Sequence, residues 1–226
     1  MKPLAQFVVL LIALLGINFL SSKLIPSNQS ENSIHWQQIV SNWYWVEAYG
    51  SWVEKDKERL LDNYGFATAL DPGNLTYWRL AAQTIAYDFP VWDIEEQRMT
   101  DELKIAALRK QYGEEALQFF TRSKSYFDSD PTWYLSGSFI AEQACLDSEK
   151  ALQFLEAAIT LPDFSFLRAV NFTRLLIQNG RSTDALQFLK EWYPTLIEGS
   201  DKSRHSEVSD WIKRLKSGII QPTSSQ

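Results

Sequence analysis

Chemistry at neutral pH draws on a small set of side chains, and this chain holds few of them. It has two histidines, His35 and His205, and one cysteine, Cys145. The histidines lie far apart in separate polar surroundings, and one cysteine forms no internal disulfide and gives no metal-ligand spacing. Cys145 stands between Ala144 and Leu146, the setting of a small buried apolar residue. Glu95-Glu96 and Glu114-Glu115 are the paired carboxylates from which acid–base catalysis is built. Each pair falls near the start of a helical stretch, where acids complement the helix dipole on a solvated face. The nine glycines form neither Gly-x-Gly-x-x-Gly nor Gly-Lys-Ser. No catalytic residue, metal ligand or cofactor is therefore assigned, and the expectation is a protein that is not an enzyme. What remains is recognition. Tyr77, Arg79, Gln83, Tyr134, Ser138, Asn171 and Arg174 have polar reach, and whether they form a site depends on the elements that position them.

Those elements are announced by a phrase said three times. Ala116-Leu117-Gln118-Phe119 recurs from Ala151 and again from Ala185, at spacings of 35 and 34 residues. A period near 34 belongs to helix-turn-helix arrays. In the first helix, Trp36, Ile39, Val40, Trp43 and Val46 recur at steps of three and four, and Tyr44, Trp45 and Tyr49 widen that inward stripe. Ser33 is its cap and Gly50-Ser51 its turn. A second helix spans Lys55 to Leu70, with Leu60, Leu61, Tyr64, Ala67 and Leu70 inward, and stops at Asp71-Pro72-Gly73-Asn74. Thr76 to Tyr87 is a third helix, ended by Phe89-Pro90. Asp93 to Tyr112 reads as an extra helix, acidic at its start and basic near its end, which breaks the period. Gly113-Glu114-Glu115 opens the helix of the first phrase. Trp133 to Gln143 follows, then the helix of the second phrase. Phe166 to Gln178 leads through Asn179-Gly180 into the third, which ends at Trp192-Tyr193-Pro194.

This alternation resembles the tetratricopeptide repeat, whose pattern is Trp-x2-Leu-Gly-x2-Tyr in one helix, then Ala-x3-Phe and Pro in the next. Ala116-x3-Phe120 matches outright. Ala151-x3-Leu155 and Ala185-x3-Leu189 match with one apolar residue exchanged, and Leu60-x3-Tyr64 is a degenerate copy. Trp78-x2-Ala81-Ala82-x2-Ile85 and Trp133-x2-Ser136-Gly137 echo the first-helix half. The resemblance covers residues 34–198 and implies an all-α, TPR-like solenoid of antiparallel helix pairs. Such arrays offer the first helix of each pair to a partner on a concave face. There the seven residues named above are the candidate partner-binding set, and their alternative is an ordinary exposed face.

The chain begins with a different signal. Leu4 to Leu20 runs 17 residues without a charge, between Lys2 and Lys23. As a helix it spans roughly 26 Å, close to a hydrocarbon core of about 30 Å. The residues at its end are too bulky for a cleavage site of small residues, so residues 4–21 are expected to be a retained transmembrane anchor rather than a signal sequence. Residues 22–33, with Pro26, form a polar tether. Val208, Trp211, Ile212 and Leu215 make an apolar stripe within a capping helix over 199–217, and 218–226 read as a disordered tail. The formal net charge of −6 and the absence of a basic patch exclude nucleic acid as a partner.

The layout also resembles bacterial membrane-anchored repeat proteins of unassigned function. By that resemblance the chain is a single-pass protein of the cytoplasmic (inner) membrane, its soluble part periplasmic. There it would be a scaffold for protein partners in a secretion, pilus or polysaccharide-export complex. The alternative is a homo-oligomer that self-associates through its aromatic-rich first helix pair, with Trp43, Tyr44, Trp45 and Trp52.

Overall fold

The structure, a computed structural model, describes residues 36–161, 166–198 and 205–218. The expected anchor, the tether, the Ser33 cap, His35 and most of the expected tail lie outside these residues. Two compact units divide the chain, 1–36 and 37–226. Apart from Trp36, every described residue belongs to the second unit.

Helix α1, Trp36–Glu54, runs straight through Gly50-Ser51, so the turn expected there does not exist. The chain reverses instead at Lys55, in the left-handed region at φ 56°. Asp56 then caps α2, Lys57–Leu70, its carboxylate accepting from the Arg59 N–H at 3.1 Å. The inward face of α1 also differs from the expected one. Ser41, Ala48 and Ser51 are buried, whereas Ile39, Trp43, Val46 and Tyr49 are exposed. Small hydroxyls make that buried seam: Ser41 Oγ donates to the Ala67 carbonyl at 3.1 Å, and Asn63 donates to Ser51 Oγ at 3.2 Å. Tyr44 stacks on Phe66 and Trp45 on Tyr77. On α2, Leu60, Tyr64 and Ala67 are buried as the periodicity predicts, but Leu61 is exposed.

Asp71-Pro72 ends α2, and Asn74 caps α3, Leu75–Gln83. Pro90 was expected to stop this helix at Phe89, yet the chain continues through a π-helical turn, Thr84–Asp88, into α4, Phe89–Glu96. The reason is the extra residue. Proline has no N–H and its ring collides with the carbonyl four back. In the widened turn the Phe89 N–H bonds to the Thr84 carbonyl, five residues back, and Pro90 falls in the first turn of α4. The acidic stretch from Asp93 is therefore the end of this long helix. Its basic continuation belongs to α5, Glu102–Thr121, capped by Asp101. No separate helix spans 93–112, and Gly113 lies inside α5 rather than before it.

A short 3₁₀ turn, Lys124–Tyr126, precedes α6, Pro131–Gln143, and α7, Ser148–Ala158, which carry Asp130 and Asp147 as caps. Helix α8 is Phe166–Gln178 and α9 is Ser182–Glu198. Gly180, at φ 74°, makes the turn between them. Pro194 lies inside α9, which continues past it. Helix α10, His205–Lys216, lays buried Val208 with Trp211, Ile212 and Leu215 against Leu189, leaving Lys213, Arg214 and Lys216 in solvent.

The described residues are all-α, without a strand, and helices pack chiefly on their neighbours in sequence. The three phrases occupy equivalent places. Ala116, Ala151 and Ala185 are completely buried, Phe120, Leu155 and Leu189 are buried, and Gln118, Gln153 and Gln187 face solvent. The phenylalanine of each phrase meets an aromatic ring on the preceding helix. Phe119 packs on Trp78 at 5.3 Å, Phe154 on Trp133 at 5.6 Å, and Phe188 on Phe172 at 4.8 Å. Repetition in the sequence is thus repetition of a contact. One continuous core extends from Ala48 to Ala185.

Candidate functional site

Helices α3, α6 and α8, each the first partner of a phrase-bearing helix, share a cleft of about 440 Å³. Their backs are committed to the core: Trp78, Ala81 and Ala82 on α3, Trp133, Ile140 and Ala141 on α6, Leu175 and Leu176 on α8. The opposite faces are left to line the cleft. On α6 these are Thr132, Leu135, Ser136 and Phe139, at steps of three and four, with Glu142 and Gln143 at the end. Two hydrogen bonds lock the α6 wall. Trp133 Nε1 donates to Ser123 Oγ at 2.7 Å, and the Tyr134 hydroxyl to the Asp128 carbonyl at 3.1 Å.

Five of the seven residues expected to bind a partner come together here: Arg79 and Gln83 from α3, Ser138 from α6, Asn171 and Arg174 from α8. Two do not. Tyr77 is buried, stacked on Trp45 at 4.7 Å, with its hydroxyl donating to Asn42 Oδ1 at 2.5 Å. Tyr134 is buried edge-on against Trp133. In both, the ring's apolar area outweighs the single hydroxyl that suggested exposure. Polarity alone also passes over Phe139, an exposed ring on the cleft wall, and Glu142. The helical phase set by Trp133, Gly137 and Ile140 is the signal that would find them.

The charges of the cleft are unequal. Arg174 and Glu142 form a bidentate pair from α8 to α6, with Nη2 to Oε2 at 2.6 Å, and Arg174 also donates to Gln178 at 3.0 Å. Arg79, Gln83, Gln143 and Asn171 have no side-chain hydrogen-bond partner among the described residues. The cleft thus offers one uncompensated guanidinium, several free amides and one exposed ring. Such a set recognises peptide groups, a carboxylate and an apolar side chain. It holds no nucleophile beside a base.

A second polar cluster joins α2, α4 and α5. Lys57 donates to Asp93 Oδ1, Tyr112 donates to Asp93 Oδ2 at 2.5 Å, and Lys57 reaches the Tyr112 oxygen at 3.1 Å. Burial alone would raise the Asp93 carboxyl, but the hydrogen bonds from Lys57 and Tyr112 and the Lys57 charge hold it below its ordinary 3.8. Burial and the hydrogen bond to Asp93 push the Tyr112 phenol above 10.0. Burial depresses the Lys57 ammonium, but hydrogen bonds to Asp93 and Tyr112 overcome it and raise the group above 10.5. All three groups are used internally, so this cluster fastens helices. Cys145 is buried, and burial pushes its thiol up to about 11, which keeps it un-ionised and unreactive at neutral pH.

Among the described residues no group of His, Cys, Asp and Glu could hold a metal ion. No helix among them is long and apolar enough to cross a membrane. No protein-family model matches the chain, and no curated protein matches it.

Proposed function

We propose that the chain is a TPR-like helical-repeat scaffold that holds an extended segment of a partner protein in the α3–α6–α8 cleft. The observation that carries this reading is the set of unpaired side chains, Arg79, Gln83 and Asn171, brought from two helices to face an exposed phenylalanine. Unpaired amides and a free guanidinium lose little on binding and gain direct hydrogen bonds to a peptide. The three equivalent Phe-to-aromatic contacts support the repeat. The apolar run of residues 4–20 supports a membrane anchor, which would hold the cleft near a bacterial envelope complex, the soluble part outside the cytoplasm.

The test is site-specific capture. A photo-crosslinking amino acid replaces Phe139 in the full chain, expressed in its native membrane. One stoichiometric protein adduct is expected, reduced at least tenfold by Arg79→Glu and by Asn171→Ala. Circular dichroism should show both variants folded. Recovery of no stoichiometric adduct sinks the reading.

A further inference from the structure

The charge of the α3–α6–α8 cleft is opposite in sign to that of the whole chain. The protein has a formal net charge of −6, yet the charged residues lining the cleft are Arg79, Arg174 and Glu142, an excess of one positive charge. Where that excess sits decides what fits. Glu142, on α6, is set deeper than its partner on α8: its side chain is 15% exposed, against 35% for Arg174. Both carboxylate oxygens accept from the Arg174 guanidinium, which also donates to Gln178, one turn on in α8. A carboxylate arriving from outside therefore finds Arg174 already bonded to an equal acceptor that is fixed in place. It would also come to lie beside Glu142, a like charge in a partly desolvated site. Arg79 has no such competitor, since no described residue pairs with it.

We propose that Glu142 is a specificity-determining residue: by occupying Arg174 it limits the cleft to a peptide segment with one acidic side chain, held by Arg79 beside an apolar residue on Phe139. This selectivity presupposes that the cleft is the partner-binding site. The free amides of Gln83, Gln143 and Asn171 come from all three helices. The backbone they bond thus crosses the cleft, and the acid is a side chain within the segment rather than a chain end. A segment with a second acid is rejected by the repulsive element that Glu142 supplies. A pair that only joined α8 to α6 would leave the charge preference of the cleft untouched. Glu142→Gln keeps the size of the side chain, leaves Arg174 its bond to Gln178, and frees the guanidinium for a second carboxylate.

The preference is read by selecting random heptapeptides, displayed on phage with both ends joined to coat protein, on the full chain immobilised in dodecyl maltoside. The parent should enrich segments with one Asp or Glu near an apolar residue, and Arg79→Gln should lose the acid. Glu142→Gln should enrich diacidic segments. A diacidic peptide so selected should bind Glu142→Gln about ten- to hundredfold more tightly than the parent, the worth of one charge-assisted hydrogen bond. In the double variant Glu142→Gln with Arg174→Gln the preference should return to one acid. Circular dichroism should show every variant folded. Diacidic or acid-free segments enriched by the parent overturn the proposal without any variant. So does an unchanged acid count in Glu142→Gln, or an acid preference seen only in a second library with free carboxy termini. Each of these leaves the cleft as a peptide site. Failure of the parent to enrich any segment from either library overturns the cleft's role, and the selectivity with it.

Discussion

Asp93 carries more of the fold than its place in the sequence suggests. Its two carboxylate oxygens hold Lys57 and Tyr112, and so fasten α4 to α2 and α5. Asp93→Asn keeps the shape and removes the charge, and should cost about 1.5–3 kcal/mol in urea unfolding, the range for hydrogen bonds to charged groups. The pH dependence follows from the directions of the shifts. The folded Asp93 carboxyl lies below 3.8. Its contribution is therefore present above that value and lost as pH falls through the folded one. The Lys57 ammonium lies above 10.5 and the Tyr112 phenol above 10.0. Their contributions are present at neutral pH and lost as pH rises beyond those values. Urea midpoints measured across pH should fall at both extremes in the parent chain, and the acid-side fall should be smaller in Asp93→Asn. None of this was legible in the sequence. Lys57, Asp93 and Tyr112 are distant along the chain, and Asp93 carried a different reading, as an acid at a helix start. The cleft was half legible for a similar reason. Arg79, Gln83, Ser138, Asn171 and Arg174 stand out by polarity, whereas Tyr77 and Tyr134 have the same polarity but a larger ring to bury.

Among the elements, the regular half of the chain was readable and the aromatic half was not. From Ala116 onward, phrase, cap and turn agree, and the helices lie where they were expected except that α9 runs on past Pro194. Before it, α1 has apolar residues on nearly every side, so periodicity cannot choose a face. The choice went to Ser41, Ala48 and Ser51, whose small size hydrophobicity does not register. Gly113 was misread as a boundary because glycine usually ends helices. It is retained inside α5 because a Cβ there would overlap the Ala144 carbonyl. Gly113→Ala should therefore destabilise by about 1–3 kcal/mol through overpacking, despite alanine's better helix propensity. Gly65, in α2, has nothing within 4 Å of its added Cβ, and Gly65→Ala should stabilise by about 0.5–1 kcal/mol. Thermal melts of the two variants should move in opposite directions from the parent.

At the scale of the whole body, helices of the second unit share one core from Ala48 to Ala185, and Leu189 and Val208 form a second, smaller cluster where α10 packs on α9. Val208→Asp puts a charge into the buried contact with Leu189. It should lower the urea midpoint by the equivalent of about 3 kcal/mol or more, while Lys213→Asp on the solvent side of the same helix stays within about 0.5 kcal/mol. The π turn at Thr84–Asp88 bears on the body in another way, through its residue count. Each residue of an α-helix advances the chain by about 100°. Deleting one residue between Thr84 and Asp88 would remove the widened turn that accommodates Pro90. It would also rotate the rest of that helix, Phe89–Glu96, by that angle, carrying Trp92 from Trp52 and Asp93 from Lys57 and Tyr112. This stretch would then tolerate substitution of its exposed side chains far better than any change of length. The fold reads it as a count of residues, in the manner of a spacer.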